Sequence, residues 1–540
     1  MASSSLAVPQ LGSPLGLALA FSVLFFVLYA ANSYLTVRYP KGVALAREPP
    51  GAKRFSWRTR LAYYTDCRTL YREAYNEYSK KGKAVVLPGT IARVDTILPN
   101  SSLRWVLSQP EDVLSVGQAF ADVDGVYYSL GTDAPFTDAY QGLVVKKDLN
   151  VVLEQIVQAM KDELEVAFDE YFGTDTDSWR ELDLIPTIRR IVAQASSRFT
   201  VGVPLCRNKE YLDSNLKAAD DLVIGAGLAS VSAVLRPIFG KIGGFLVKSD
   251  IRKVKKVFEP LYRERLETLK YSKEDPNHEE PQDHLQMMLR YAQKERPHEL
   301  EDLNLITTRL VVANFGSMHQ TAIHAANMLL NILGSDAEFN TIAVLRDEVA
   351  RIMGSSLGDD QGWTKAKVSK LINSDSVARE TLRLQPFGAR NVFRKVAVDG
   401  VVTDAGVELP KGSIISFLSQ PTHTDEEFYE DALKYDPFRF SRARKAALNE
   451  EAGGTPSKSG SLSFVATSPE FLPFGHGKHA CPGRFLVDFE LKIIIAYVLM
   501  NYDVKFPDAY GGKRPENRWV AEACLPPDGA KILVRRRKSA

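Results

Sequence analysis

Along the chain, the first clear signal is an uncharged apolar run, Leu15 to Ala31, rich in Leu, Phe and Val. About 17 residues at 1.5 Å each span roughly 25 Å, near the lower limit for a bilayer core. The uncharged stretch Asn32 to Tyr34 extends it, which predicts one membrane-spanning helix over residues 15–35 after a tail of residues 1–14. Met1 to Pro14 lacks a basic n-region and the run exceeds a usual h-region, which argues against a secretory signal. Arg38, Lys41, Arg47, Lys53 and Arg54 follow the run, and the positive-inside tendency keeps that side in the cytosol. The tail is then luminal, and the sequon Asn100-Ser101-Ser102 never meets the glycosylation machinery. Pro40, Pro49, Pro50 and Gly51 make residues 36–51 a stiff linker to one large domain, 52–540.

Within that domain the spacing of apolar positions is mostly helical. Asp148 to Phe172 carries Leu149, Val152, Ile156, Met160, Leu164 and Phe168 on one face. Leu303 to Leu333 predicts a long, largely apolar helix closed by Gly334, and Val368 to Leu384 another that ends near Gln385-Pro386. Arg484 to Met500 is a further helix-like run. Phe393 to Ser419 reads as short strands, with turns at Asp399-Gly400 and Pro410-Lys411-Gly412. Lys273 to Pro281 and Asn449 to Ser463 read as polar surface loops. The pattern predicts a mainly α chain with small β-sheets and leaves the topology open.

Composition narrows the class. The 540 residues include 68 basic and 66 acidic side chains, a balance that gives no support for a nucleic-acid role. Cys67, Cys206, Cys481 and Cys524 are widely separated, as expected for free thiols in a reducing compartment. Cys206 reads as a packed thiol.

The sharpest chemistry lies in Phe474-Gly475-His476-Gly477-Lys478-His479-Ala480-Cys481-Pro482-Gly483. A lone cysteine sits in a glycine-rich loop that enters a helix, where the dipole and free N–H groups favour a thiolate. Gly475, Gly477 and Gly483 permit positive φ and close approach to a large flat partner. Phe474 can pack on that partner, and Pro482 fixes φ where its missing N–H costs little. Zinc held by His476, His479 and Cys481 is a rival reading, although structural zinc takes four ligands and no second Cys or His pair lies nearby. A buried inert cysteine is the other.

This loop resembles the cysteine-ligand loop of the cytochrome P450 family, Phe-x-x-Gly-x-(Arg/His)-x-Cys-x-Gly. Phe474, Gly477, His479, Cys481 and Gly483 match its five fixed positions. Glu380-Thr381-Leu382-Arg383, then Tyr435-Asp436-Pro437-Phe438-Arg439-Phe440, then the loop follow the family's order. The resemblance implies a structural triad of Glu380, Arg383 and Arg439 that locks the side of the fold below Cys481. The similar pair Glu348 and Arg351 reads as a solvated helix pair. Gly202 to Asn208 and Gly362 to Lys365 resemble segments typical of fungal members.

By the same resemblance the domain has the cytochrome P450 fold, with haem b between the long central helix and Cys481, the axial iron ligand. His479 falls where a haem propionate is contacted; Lys146 and Lys147 are weaker candidates, because the common Trp-x-x-x-Arg pattern is absent there. Ala313 to Thr321 resembles the oxygen-binding stretch, usually Ala-Gly-x-(Asp/Glu)-Thr. In this register Gly316 and Ser317 are the small pair, His319 replaces the acid, Gln320 replaces the threonine, and Thr321 comes one position late. His319, which titrates near neutrality, and the Gln320 amide could form a proton relay; both could equally be polar helix-face residues. The implied activity is monooxygenation of a lipophilic substrate, terpenoid-like by family analogy, in fungal secondary metabolism, with electrons from NADPH through a cytochrome P450 reductase. The implied protein is a single-pass monomer of the endoplasmic reticulum membrane that faces the cytosol. A reductase-independent haem-thiolate isomerase or dehydratase, and a non-enzymatic membrane-anchored haem-binding protein, are the alternatives.

Overall fold

The computed structural model describes residues 13–35, 39–90, 93–230, 236–271, 280–354, 363–452 and 459–538. Helices carry most of these residues, with small sheets, turns and loops between them, in line with the apolar spacing. Pro14–Leu35 is one helix of 22 residues, about 33 Å long. Leu17, Leu19, Phe21, Val23 and Phe26 are all exposed on it. Phe21 meets Phe239 edge-on at 6.5 Å, and Phe26 meets Trp57 at 6.1 Å. Some side chains of this helix, the tail 1–12 and linker residues 36–38 lie outside the described residues. Among the described residues no helix is long and apolar enough to cross a membrane, so the span over 15–35 is carried by the sequence alone.

The helical stripe predicted from Leu149 to Phe168 is wholly buried, and its helix begins earlier, at Tyr140, because Tyr140, Val144 and Val145 continue the stripe. The central helix starts at Leu303, where the Asp302 side chain accepts the Leu305 N–H at 3.0 Å. It runs to Asn314, widens into a π-turn over Phe315–His319, and resumes from Gln320 to Phe339. Gly334 does not end it. A Cβ there would lie 2.7 Å from the Arg514 Cβ, so the glycine serves close packing, and Asn340 at φ +49° ends the helix.

Two apolar cores meet on the central helix. Ile306, Leu310, Val311 and Met318 pack with helices Lys209–Ala229 and Arg236–Tyr271. Ala322 to Leu333 packs instead with Tyr140–Tyr171, Leu184–Thr200, Ile372–Leu384 and Arg484–Asn501. The π-turn falls at the changeover.

The helix expected over 368–384 is two, Lys365–Val368 and Ile372–Leu384. Glu348 explains the break: it accepts the N–H groups of Asn373 at 2.6 Å and Ser374 at 2.9 Å, which gives the second helix its own N-terminus. Glu348 is therefore buried, not solvated. Helix Arg439–Ala452 and the turn Ser459–Leu462 occupy much of the loop expected over 449–463, and residues 453–458 lie outside the described set, as do 273–279 of the other expected loop and Gly362.

The expected strands appear as Arg390–Val396, Val401–Val402, Glu408–Leu409 and Ile414–Leu418. Arg390–Val396 and Ile414–Leu418 join a six-stranded sheet that also holds Ala44–Leu45, Val85–Pro88, Val94–Ile97 and Leu114–Ser115. Its centre is an ion cluster: fully buried Arg390 donates to Asp95 at 2.6 Å and also to Glu522. The pairing of Arg390–Val396 slips between Asn391 and Arg394, where Val392 takes φ +58°.

Glu490, in helix Arg484–Asn501, is buried with Ser196 as its hydrogen-bond donor at 2.8 Å, and burial pushes its pKa up to about 8. The folded chain then keeps a proton that the unfolded chain has lost. Stability falls as pH rises from the ordinary glutamate range toward 8. Glu490→Gln is expected to flatten that decline in urea midpoints measured across the interval; a decline as steep as that of the wild type would refute the assignment.

Candidate haem-thiolate site

The cysteine loop is tied back on itself. The Cys481 N–H donates to the Phe474 carbonyl at 2.8 Å, and the Gly475 N–H to the Leu472 carbonyl at 2.9 Å. Gly475 and Gly477 take φ of +68° and +70°, which side chains rarely adopt. Gly483 does not, contrary to expectation, since its φ is −82°. A Cβ on Gly483 would meet nothing within 4 Å, so this glycine borders open space, as a flat partner requires. Helix Arg484–Asn501 starts immediately after it. The N–H groups of Gly483 and Arg484 and the Arg484 charge favour a Cys481 thiolate, but burial outweighs them and holds the thiol above its ordinary pKa. A metal ion bound to the sulfur would supply the positive charge that favours the thiolate. Cys67, Cys206 and Cys524 are buried free thiols.

Phe474 packs edge-on against Phe464 at 5.1 Å, and Phe464 stacks on His324 of the central helix at 5.6 Å. This aromatic row spaces the loop from the helix. His476 bonds Thr467 at 2.8 Å. Among the described residues no group of three His, Cys, Asp or Glu is placed to hold a metal ion, which removes the zinc reading.

The structure brings Glu380, Arg383 and Arg439 together. Arg383 donates twice to Glu380, at 2.7 Å each, and Arg439 Nε donates at 3.2 Å. Glu380 and Arg383 are fully buried. Arg383 also donates to the His423 carbonyl at 2.7 Å, and His423 Nε2 accepts the Leu472 N–H at 3.0 Å. Burial, then the charges of Arg383 and Arg379, push the His423 pKa down to about 3, so it stays neutral and able to accept. The sequence carried no local sign of His423. Asn391 adds a second tie, donating to the Pro473 carbonyl at 3.1 Å.

On the central helix, Gly316 and Gln320 are exposed, one turn apart, beside buried Met318 and Thr321. A Cβ on Gly316 would meet nothing within 4 Å. Thr321 belongs to the packed face, so it does not share the opening. His319 stacks on Phe315 at 5.8 Å and meets the edge of Phe387 at 5.9 Å. Burial, then the charge of Arg189, hold its pKa below the ordinary histidine value.

The residues fit a haem. Arg394 is 4% exposed, donates to the neighbouring Phe393 carbonyl, and makes no ion pair among the described residues. Burial pushes its pKa down to about 10. Glu111 supports its charge only from beyond salt-bridge distance, so the site suits an additional anion, and haem propionates are anions. The charge of Arg394 also depresses the pKa of His479, after burial. His479 lies 3.7 Å from Glu111, and Lys146 donates to the Lys478 carbonyl at 3.1 Å. Arg394 is the anion partner that sequence reasoning missed, because only the slipped strand brings it here.

Comparison with known proteins bears on the family. The family model described as Cytochrome P450 matches residues 144–534. The cytochrome P450 monooxygenase pbrC of Penicillium brasilianum is 50% identical over 515 residues, 95% of this chain and 94% of that protein. The cytochrome P450 monooxygenase astC of Aspergillus terreus is 50% identical over 509 residues, 94% of each chain. The cytochrome P450 monooxygenase tenB of Beauveria bassiana is 44% identical, covering 93% of this chain and 92% of that protein.

Arg383→Ala leaves Glu380 buried with one cation. A loss of about 3–5 kcal/mol is expected in urea unfolding, and Arg383→Lys should not restore it, since lysine cannot bind both carboxylate oxygens in parallel. A lysine variant as stable as the wild type would show that paired geometry is not what Glu380 needs.

Proposed function

This chain belongs to the cytochrome P450 family, and from that premise we propose that it is a membrane-tethered enzyme that oxygenates a lipophilic substrate with electrons from NADPH through a P450 reductase. It is an oxidoreductase of the monooxygenase type. Two observations support the reading: the positive-φ glycine turns of the Cys481 loop and the open space beside Gly316 on the central helix.

When bound, haem b supplies oxygen activation, which a thiolate ligand promotes by donating electron density. Cys481 provides that sulfur, and Phe474, Gly475 and Gly483 give the loop its shape. Arg394 and His479 would hold the propionates. Gly316 leaves room for dioxygen. Gln320 presents amide N–H donors and a carbonyl acceptor, enough to hold a water in a proton relay. His319 borders the opening, held by its ring contacts with Phe315 and Phe387. Glu380, Arg383 and Arg439 act as structure, not chemistry.

A second part of the proposal is the tether in the endoplasmic reticulum membrane, with the catalytic domain in the cytosol. Support comes from the exposed apolar residues of Pro14–Leu35 and from exposed Ile238, Ile242 and Phe245 beside Phe239, which touches Phe21. Exposed Lys41, Lys53 and Lys411 line the recess at the foot of that helix with Phe26 and Trp57, a cationic and aromatic rim suited to a bilayer surface. The fungal relatives favour a role in secondary metabolism; a terpenoid-like substrate remains part of the proposal.

The reduced, carbon-monoxide-bound spectrum is expected to show a strongly red-shifted Soret band that Cys481→Ser abolishes; its persistence in the variant would reject the ligand assignment. Gln320→Ala is expected to keep haem while raising peroxide formed per NADPH, and unchanged coupling would remove Gln320 from the relay. Deletion of residues 1–38 should move the holoprotein from the membrane pellet to the supernatant. Continued pelleting would assign membrane binding to the Ile238–Phe245 face.

A further inference from the structure

One buried polar group lies at the back of the central helix, away from the opening. Asn314 is the last residue before the π-turn, and it is 1% exposed. Its side-chain amide donates to the Tyr211 hydroxyl at 3.0 Å and to Asn215 Oδ1 at 2.9 Å. Asn215 in turn donates to the Tyr211 carbonyl at 2.8 Å, which fixes its amide orientation. Tyr211 and Asn215 are also buried.

We propose that Asn314, Tyr211 and Asn215 form a clamp that fixes where the π-turn begins, and that these positioning residues thereby aim Gly316 and Gln320 at the reacting centre. The inference rests on the role given to that helix face. A π-turn inserts one residue into an α-helix, and nothing in its own backbone bonds dictates which residue that is. Moving it by one position would rotate the intervening residues by about 100°. Asn314 lies two residues before Gly316, about 200° around the helix, so it can hold the packed side while the opposite side stays open.

The clamp has a rigid base. The Asn208 side chain accepts the Tyr211 N–H at 2.9 Å and caps helix Lys209–Ala229. The adjacent Arg207 makes paired bonds to buried Glu163 at 2.9–3.0 Å. The segment Gly202 to Asn208 therefore ties helix Tyr140–Tyr171 to the clamp. Asn314 Oδ1 is buried without a partner among the described residues, a liability that an apolar side chain would avoid. Stability alone does not explain an amide here.

The test is the infrared C–O stretch of the ferrous, carbon-monoxide-bound holoenzyme, full chain, which senses polar groups beside the ligand. Asn314→Leu should keep the thiolate-type Soret band but add a second C–O component relative to wild type, as two π-turn positions become populated. Tyr211→Phe, which removes one of the two bonds, should broaden the band less. Leu310→Ala, a cavity in the same apolar cluster, should lower the thermal midpoint without a second component. Gln320→Ala should shift the band as a whole. A Gln320→Ala band that does not move, with Asn314→Leu still split, retains the clamp and rejects the relay. A single unshifted band in Asn314→Leu, or equal splitting in Leu310→Ala, overturns the clamp. Should Asn314→Leu fail to bind haem, an unchanged band in Tyr211→Phe overturns it.

Discussion

Glu380 is a carboxylate removed from water, and two guanidiniums and one backbone N–H make that position tolerable. A buried charge of this kind admits few arrangements, because each lost partner leaves the remainder unpaired. The constraint spreads outward. Arg383 spends its remaining donors on the carbonyls of His423 and Ala432. Neutral His423 then holds the Leu472 N–H, and the Leu472 carbonyl receives the Gly475 N–H. The position of Cys481 is thus referred, bond by bond, to an ion pair in another helix.

The central helix solves a different problem. It must satisfy two cores whose partners lie on different sides, and it must leave one face uncovered. The π-turn at Phe315–His319 lets the packed face change partners between Met318 and Ala322. Aromatic contacts from Phe315 and Phe387 hold His319 against the wall, so the opening is bordered by Gly316 and Gln320.

What the sequence made legible was chemistry coded at short, fixed spacing. Glu380-x-x-Arg383 and the Phe474–Gly483 loop announce themselves because their partners are neighbours in the chain. His423, Arg394 and Asn391 did not, since each acts through residues tens of positions away. Gly334 misled for the same reason: a glycine late in a helix looks like a stop until Arg514 is seen against it. Glu348 looked like half of a surface pair until the next helix was found resting on its carboxylate. Apolar periodicity located the helices well, but it could not reveal the π-turn, which changes no hydrophobic spacing by more than one residue.

Arg394 carries a consequence for the life of the protein in a cell. Arg394 is buried with no carboxylate in contact among the described residues and only Glu111 supporting its charge from further off, so a bound anion would complete its surroundings. Any group that binds only the folded chain stabilises it by mass action. Quality-control proteases sample the opened form. An anionic group held at Arg394 would therefore favour the folded chain over the opened form on which proteases act.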